Sequence, residues 1–253
     1  MSNLFILRTY AQKAPSSIPP SILFSSSPNT LTIFDAFPKS IFHFLVLPRL
    51  QSELSTGVNE KDLDSLRTLL ASDKQTARCI LNALKDDAKE IKRQIEEEMM
   101  KKYKFTWPIW IGFHGAPSMH HLHLHVLSSD LCSPKLKHKK HYNSFHPKLG
   151  SFLHIDEVLS WFDGESSYYE EMSRLDEKAY EKLLKEDLAC WQCESPMKNI
   201  PTLKDHLQEE WNTLSRREKA RVERKRKMEE KNTSETEGGV EVKHIEKKSK
   251  SEH

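Results

Sequence analysis

The stretch HHLHLHVLS, His120 to Ser128, constrains this chain more than any other. Imidazole and aliphatic side chains alternate along it. In a β-strand, alternate side chains share a face. The alternation therefore predicts a strand with His121, His123 and His125 on one face. Leu122, Leu124 and Val126 take the other face and enter a core. Successive histidines on such a strand stand roughly 6.5–7 Å apart. Three readings fit the row. It is a half-buried strand with a polar outer face, although such faces usually carry Thr, Lys or Glu. It is a metal site, because neutral imidazole is a common zinc ligand. Or it is a catalytic row around one phosphate, one ring attacking and the others donating hydrogen bonds.

The rest of the chain has to choose among these. Its 253 residues predict one domain with an appendage. The net charge of +2 says little, but its distribution is uneven. Residues 1–34 contain no Asp or Glu, while RREKARVERKRK, Arg216 to Lys227, holds eight basic residues and two acidic ones. The apolar run IFHFLVL, from Ile41, is far shorter than the ~20 residues that cross a bilayer, so a soluble protein without a membrane partner is expected. The acid-poor, Ser-rich N-terminus has the composition of a mitochondrial presequence, and the basic run that of a nuclear localisation signal. The nucleus is the expected location, with the mitochondrion as alternative. Cys79 and Cys132 are isolated and Cys190 and Cys193 form a C-x-x-C pair, which points to metal or redox use rather than a disulfide framework.

Periodicity predicts the elements. Leu4–Gln12 reads as a short helix that ends in a Pro/Ser-rich linker, Ala14–Pro28. LTIFD (Leu31–Asp35) and IFHFLVLP (Ile41–Pro48) read as the strands of a hairpin around FPKS. Val58–Leu70 reads as a helix capped by Asn59, and Gln75–Lys102 as a long amphipathic helix. TWPIWIGFH (Thr106–His114) precedes the histidine strand, and a polar loop follows over Asp130–Phe145. A helical turn is expected over Val158–Asp163, a helix over Tyr168–Asp187, and a charged helix over Ser215–Glu230 with disorder from Lys231. Strands mixed with two long helices give an α+β fold with an antiparallel sheet and flanking helices. The expected organisation is 1–28 helix and linker, 29–165 catalytic domain, 166–213 helix and finger, and 214–253 basic tail.

A second motif lies near the C-terminus. Cys190, Cys193, His206 and Glu210 form C-x2-C-x12-H-x3-E. The spacing is that of a zinc finger with a carboxylate as last ligand, and zinc accepts such an oxygen. His206 and Glu210 are one helical turn apart and share a face. Leu203 and Leu207 close a small core beneath them. Glu209 competes as the fourth ligand, and a redox C-x-x-C with an unrelated histidine is the alternative.

The pattern at His121 to Leu127 resembles the signature of the histidine-triad superfamily of nucleotide hydrolases and transferases. FDAFPKSIFHFLVLPR resembles the hairpin of that fold, with Asp35 at the ribose-binding acid and His43 at its fourth histidine. A triad followed by a finger is similar to the branch that hydrolyses DNA 5′-adenylates. The match runs from about Leu4 to Trp211 and includes IGFHGAPSMHHLHLHVLS and SPKLKHKKHYNSF. The acidic fourth ligand resembles the fungal members. Gly115 and His120 depart from the pattern, and no forkhead-associated segment precedes the match.

This resemblance implies the roles. His123 is the nucleophile that takes AMP from a DNA 5′-phosphate, and water then releases AMP. His125 donates to the phosphoryl oxygens, His121 orients the nucleophile, and His114 is a proton donor near the leaving phosphate. Ser118 and Lys140 match phosphate contacts; Lys39, Arg49 and Ser133 match contacts around the pocket. The N-terminal helix resembles one that wedges against a terminal base pair, with Phe5 or Leu7 as tip and Arg8 and Tyr10 beside it. The expected partner is DNA with 5′-adenylated ends or nicks, bound by a monomer. Zinc is structural and no catalytic metal is required. The competing readings are a hydrolase of small nucleotides or RNA caps, and a non-catalytic zinc-dependent DNA-binding module.

Overall fold

The hairpin read around FPKS forms, and the rest of the sheet grows from it. The structure is a computed structural model that describes residues 4–245, with side chains to 229. Its strands are β1 (Leu23–Ser26), β2 (Thr30–Phe34), β3 (His43–Pro48), β4 (Ile109–His114), β5 (Leu124–Ser128) and β6 (Phe152–His154). They make one sheet in the order β1-β2-β3-β5-β4-β6, and each neighbouring pair is antiparallel. The sequence reading missed both edge strands. β1 lies inside the stretch read as linker, where Pro and Ser mask a four-residue strand that pairing with β2 holds in place. β6 is three residues long, below the length at which alternation shows.

Period 2 sorts the sheet. Phe44 and Val46 of β3 and Leu124 and Val126 of β5 face the main core, with Leu122 just before β5. That core is closed by α3 (Lys74–Tyr103), whose buried residues Ala77, Ile80, Leu81, Leu84, Ala88, Ile91, Ile95 and Met99 recur at helical spacing. Asp73 caps α3 by accepting from Thr76 N (2.8 Å), and Lys104 ends it at φ +69°. The expected Val58–Leu70 helix is broken instead. A 3-10 turn at Glu60–Leu63 starts from Asn59, and α2 (Leu66–Leu70) restarts at a Ser65 cap.

The other face of the sheet carries the site and receives the finger. α4 (Lys139–Asn143) sits within the expected polar loop. α5 (Ile155–Ser160) and a 3-10 turn at Trp161–Asp163 together cover the expected helical turn over Val158–Asp163. The expected Tyr168–Asp187 helix is two, α6 (Ser166–Ser173) and α7 (Glu177–Leu183), separated where Leu175 adopts φ +35° and Asp176 caps anew. α8 (Ile200–Ile245) is a single helix, so the backbone from Lys231 to Ile245 is helical where disorder was expected; 246–253 lie outside the described residues. Leu203 and Leu207 of α8 pack with Trp110, Leu127, Leu131 and Tyr142. The finger therefore shares its core with the sheet rather than closing a separate one. α1 (Ile6–Ala11) puts Leu7 into a third cluster with Ile18, Leu31, Ile33, Leu45 and Leu47. Among the described residues no helix is long and apolar enough to cross a membrane.

Candidate active site

The ends of the three central strands bring four imidazoles together. His43 opens β3, His114 closes β4 and His125 lies in β5. β5 pairs with both neighbours through His125, opposite Leu45 on one side and Gly112 on the other. His123 precedes β5. All four line a cavity of about 450 Å³ with Asp35, Lys39, Ser118 and Lys140.

The row is not one strand face, and here the sequence reading needs correction. β5 begins only at Leu124, and His121 adopts φ +81°. Its buried ring turns away from the cavity, and its Nε2–H donates to Pro48 O (2.8 Å). His121 meets His123 through its backbone: His123 Nδ1–H donates to His121 O (2.8 Å).

Hydrogen bonds fix the tautomers of His43 and His125. Lys39 N donates to His43 Nδ1 (3.1 Å), so neutral His43 carries its proton on Nε2. That Nε2–H donates to His125 Nδ1 (3.0 Å) and stands 3.5 Å from Asp35 Oδ2. His125 therefore carries its own proton on Nε2, a buried atom with no hydrogen-bond partner among the described residues. His123, with its proton on Nδ1, keeps the Nε2 lone pair toward the cavity it lines. His114 Nε2 is also buried and unpaired, and its ring lies 4.3 Å from that of His125.

Burial keeps these rings neutral. It pushes His43 down to about 4 against the pull of Asp35, and His121 down to about 4 against its bond to Pro48. His123 is lowered by burial; His114 is driven well below the ordinary range by burial and then by His123 and His43, and His125 by burial and then by His114, His123 and His43. Lys39 is also lowered by burial, partly offset by Asp35. Asp130 anchors the rim: its carboxylate accepts from Ile41 N (2.9 Å), Cys132 N (3.0 Å) and Trp107 Nε1 (3.0 Å). The loop carrying Lys39 is thereby tied to the end of β5.

Other expected contacts fall elsewhere. Arg49 does not line the cavity; its guanidinium donates to the carbonyls of Ser27 (3.1 Å) and Pro28 (3.2 Å) and clamps the β1–β2 turn. Ser133 is buried, and its hydroxyl accepts from Lys135 N (3.1 Å). Leu7 is 3% exposed and is a core residue, not a wedge tip, and Tyr10 packs on the same cluster. Arg8 bridges Glu60 and Asp64. Phe5 is 47% exposed and stacks on His120 with ring centroids 4.5 Å apart. Sequence reasoning missed Lys135, Lys137 and His141, which also line the cavity. The run KLKHKKH signalled them, but residue choice within it was fixed only once α4 turned His141 and Lys140 inward.

The finger donors converge. Cys190 and Cys193 sit beside a small bridge, Ala189 to Pro196, and His206 and Glu210 lie one turn apart on α8. One donor atom from each lies within 4.8 Å of all the others. Two thiols, an imidazole and a carboxylate at that spacing fit zinc. Hydrogen bonding to Ser195 pulls the Cys193 thiol down to about 7, the direction a thiolate ligand needs. Glu209 lines a separate cleft with Lys102 and Trp211, which leaves Glu210 as fourth donor. Tyr142 joins this module to α4: its hydroxyl donates to Ala189 O (2.8 Å) and accepts from Trp191 N (2.8 Å).

Comparison with known proteins agrees with this architecture. Residues 9–141 match the family described as scavenger mRNA decapping enzyme C-term binding, and residues 149–213 the C2HE / C2H2 / C2HC zinc-binding finger. The chain is 34% identical over 188 residues to an aprataxin-like protein of Drosophila melanogaster, covering 74% of this chain and 24% of that one. It is 32% identical over 194 residues to aprataxin of Gallus gallus, covering 76% and 52%. The chain thus spans about half or less of the length of these relatives. An aprataxin-like protein of Saccharomyces cerevisiae is 32% identical over 198 residues, 72% of this chain and 83% of that one. A solved structure described as Hnt3 in complex with DNA and guanosine is 26% identical with TM-score 0.58, covering 84% of this chain and 97% of that one. The histidine cavity, the finger behind it and these likenesses place the chain in the aprataxin family.

Proposed function

We propose that the chain hydrolyses DNA 5′-adenylates at breaks, releasing AMP through a histidyl-AMP intermediate on His123. The observation that carries this reading is the proton pattern of the histidines. His123 offers an Nε2 lone pair, and His125 offers an Nε2–H, to the same cavity. In the first step the His123 Nε2 pair forms a bond to the adenylate phosphorus. The bond from phosphorus to the DNA 5′-phosphate oxygen breaks, and its pair stays on that oxygen, which leaves as a phosphate anion beside the neutral His114 ring, a hydrogen-bond partner for it. His125 Nε2–H and the Lys39 and Lys140 cations hold the charge on the phosphoryl oxygens. In the second step a water oxygen attacks phosphorus, the P–N bond breaks with its pair returning to His123 Nε2, and the water proton passes to a phosphate oxygen or to solvent. Splitting the displacement in two is the usual logic of covalent catalysis. Asp35 lines the same cavity and is the group assigned to the ribose in this reading. The DNA complex of the similar Hnt3 supports a DNA substrate. Cys190, Cys193, His206 and Glu210 would hold zinc, which supplies structural closure of the finger and takes no part in the steps above.

The test is incubation with 5′-adenylated nicked duplex and measurement of AMP. Acid quenching should trap a phosphoramidate in the parent protein and none in His123→Ala, whose DNA binding and fold should stay nearly intact. Hydrolysis of free dinucleotides without any action on adenylated DNA would replace this reading by the small-nucleotide one. Turnover by folded His123→Ala would end the nucleophile assignment.

A further inference from the structure

Among the described residues no hydrogen bond holds the His114 ring, so its position comes from its backbone and its packing. Its Nε2 is buried and unpaired, and its ring rests between His125 (4.3 Å) and Phe145 (4.5 Å). Gly115 follows it and opens the loop that returns to His123. The Gly115 N–H donates to Ser151 O (3.0 Å), which pins one side of this peptide. The other side is covered by Tyr180 of α7. A Cβ at position 115 would lie 2.5 Å from Tyr180 Cγ and 2.6 and 2.7 Å from its two Cδ atoms. The ring thus fills the volume that any other residue's Cβ would need. The contact is at the root of the ring, so rotating the ring about its own axis does not relieve it.

α7 is itself held. Asn143 is fully buried, and its Nδ2 donates to Glu186 O (2.8 Å) and Leu184 O (3.3 Å) just beyond the helix. Leu184 lines the same cavity as His114. Tyr180 therefore presses on the Gly115 backbone from a fixed platform, and Ser151 holds that backbone from behind.

We propose that Tyr180 is a positioning residue for His114, acting through the side-chain-free surface of Gly115; the proposal rests on the adenylate-hydrolase reading of the cavity. The ring matters and the hydroxyl does not. Tyr180→Phe should keep kcat. Tyr180→Ala should lower kcat about 10-fold or more, as expected for a displaced group beside the leaving phosphate, with KM on the same adenylated duplex changed less than about two-fold. Gly115→Ala should also lose kcat, and the double variant Gly115→Ala with Tyr180→Ala should recover much of the loss of Gly115→Ala alone. Tyr180→Leu serves if Tyr180→Ala does not fold. The imidazole NMR signals of His114 in the free protein should shift or broaden in Tyr180→Ala and not in Tyr180→Phe. Unchanged kcat and unchanged His114 signals in Tyr180→Ala, a neutral Gly115→Ala, or losses that merely add in the double variant would overturn the proposal. If the parent protein releases no AMP, the functional reading fails, and the His114 signals still decide the positioning role.

Discussion

Mild acid should unfold this protein, and the histidine cavity sets the pH at which it does. His43 and His121 are each held at about 4 when folded, against 6.5 for a free histidine, chiefly by burial. Between these values the unfolded chain takes up a proton that the folded chain refuses. The sign follows: the contribution of each group is fully present above pH 6.5 and is lost as pH falls toward 4. Each pKa unit is worth about 1.4 kcal/mol, so each of the two histidines removes about 3 kcal/mol at full effect. About half of that is gone by pH 5, before most carboxylates titrate. His114, His123 and His125 are lowered in the same direction and add to it. Domains of this kind have about 5–15 kcal/mol in total, so the loss is decisive. The assay is urea unfolding at a series of pH values from 7.5 to 5. Near pH 5 the slope should correspond to uptake of about two or more protons on unfolding. His121→Gln should reduce that uptake by about one proton. A flat stability profile over this window, or an unchanged slope in His121→Gln, would refute the reasoning.

The remaining predictions follow from single contacts. Tyr142→Phe leaves Trp191 N and Ala189 O without their partner and should cost about 2–3 kcal/mol in urea unfolding, with weaker DNA binding. Cys190→Ser should remove about one zinc per chain by metal analysis. Because α4 is tied to the finger by Tyr142, that variant should also slow hydrolysis of a small adenylated substrate, and full retention of that activity would argue against the tie. Leu7→Ala should cost about 2–4 kcal/mol in thermal unfolding as a core truncation. Phe5→Ser should cost less than about 1 kcal/mol and instead impair processing of adenylated duplex more than of a free adenylated nucleotide. Lys140→Ala should flatten the salt dependence of DNA binding by up to about one ion in a titration series.

Legibility tracked the range of the interaction that decides each feature. Helix α3 was readable because its apolar stripe repeats over thirty residues and its cap is three residues from its partner. The finger donors were readable because C-x2-C and a one-turn H-x3-E spacing are local constraints, but the choice of Glu210 over Glu209 came only with the structure, which turns Glu209 into a separate cleft. β1 and β6 were not, since edge strands of four and three residues exist only through their neighbours. Arg49 sits beside a family motif in sequence, yet the carbonyls of Ser27 and Pro28, from another segment, claim its side chain.

His121 shows most clearly why a correct motif gave an incorrect geometry. Alternation argued for three rings on one face, and that holds only while the backbone stays extended. A non-glycine residue at φ +81° is unfavourable in isolation. Here the distant Pro48 carbonyl accepts from the buried His121 ring, which offsets the cost, and no window around His121 contains that partner. The turn has a chemical result. With the ring rotated away, the His121 carbonyl faces His123 Nδ1 and fixes its proton there. Had His121 continued the strand, β-pairing would have engaged its carbonyl, and the tautomer of His123 would have been left open. The alternating motif thus supplies the imidazoles, and the one place where it stops being a strand decides which nitrogen of His123 keeps its lone pair.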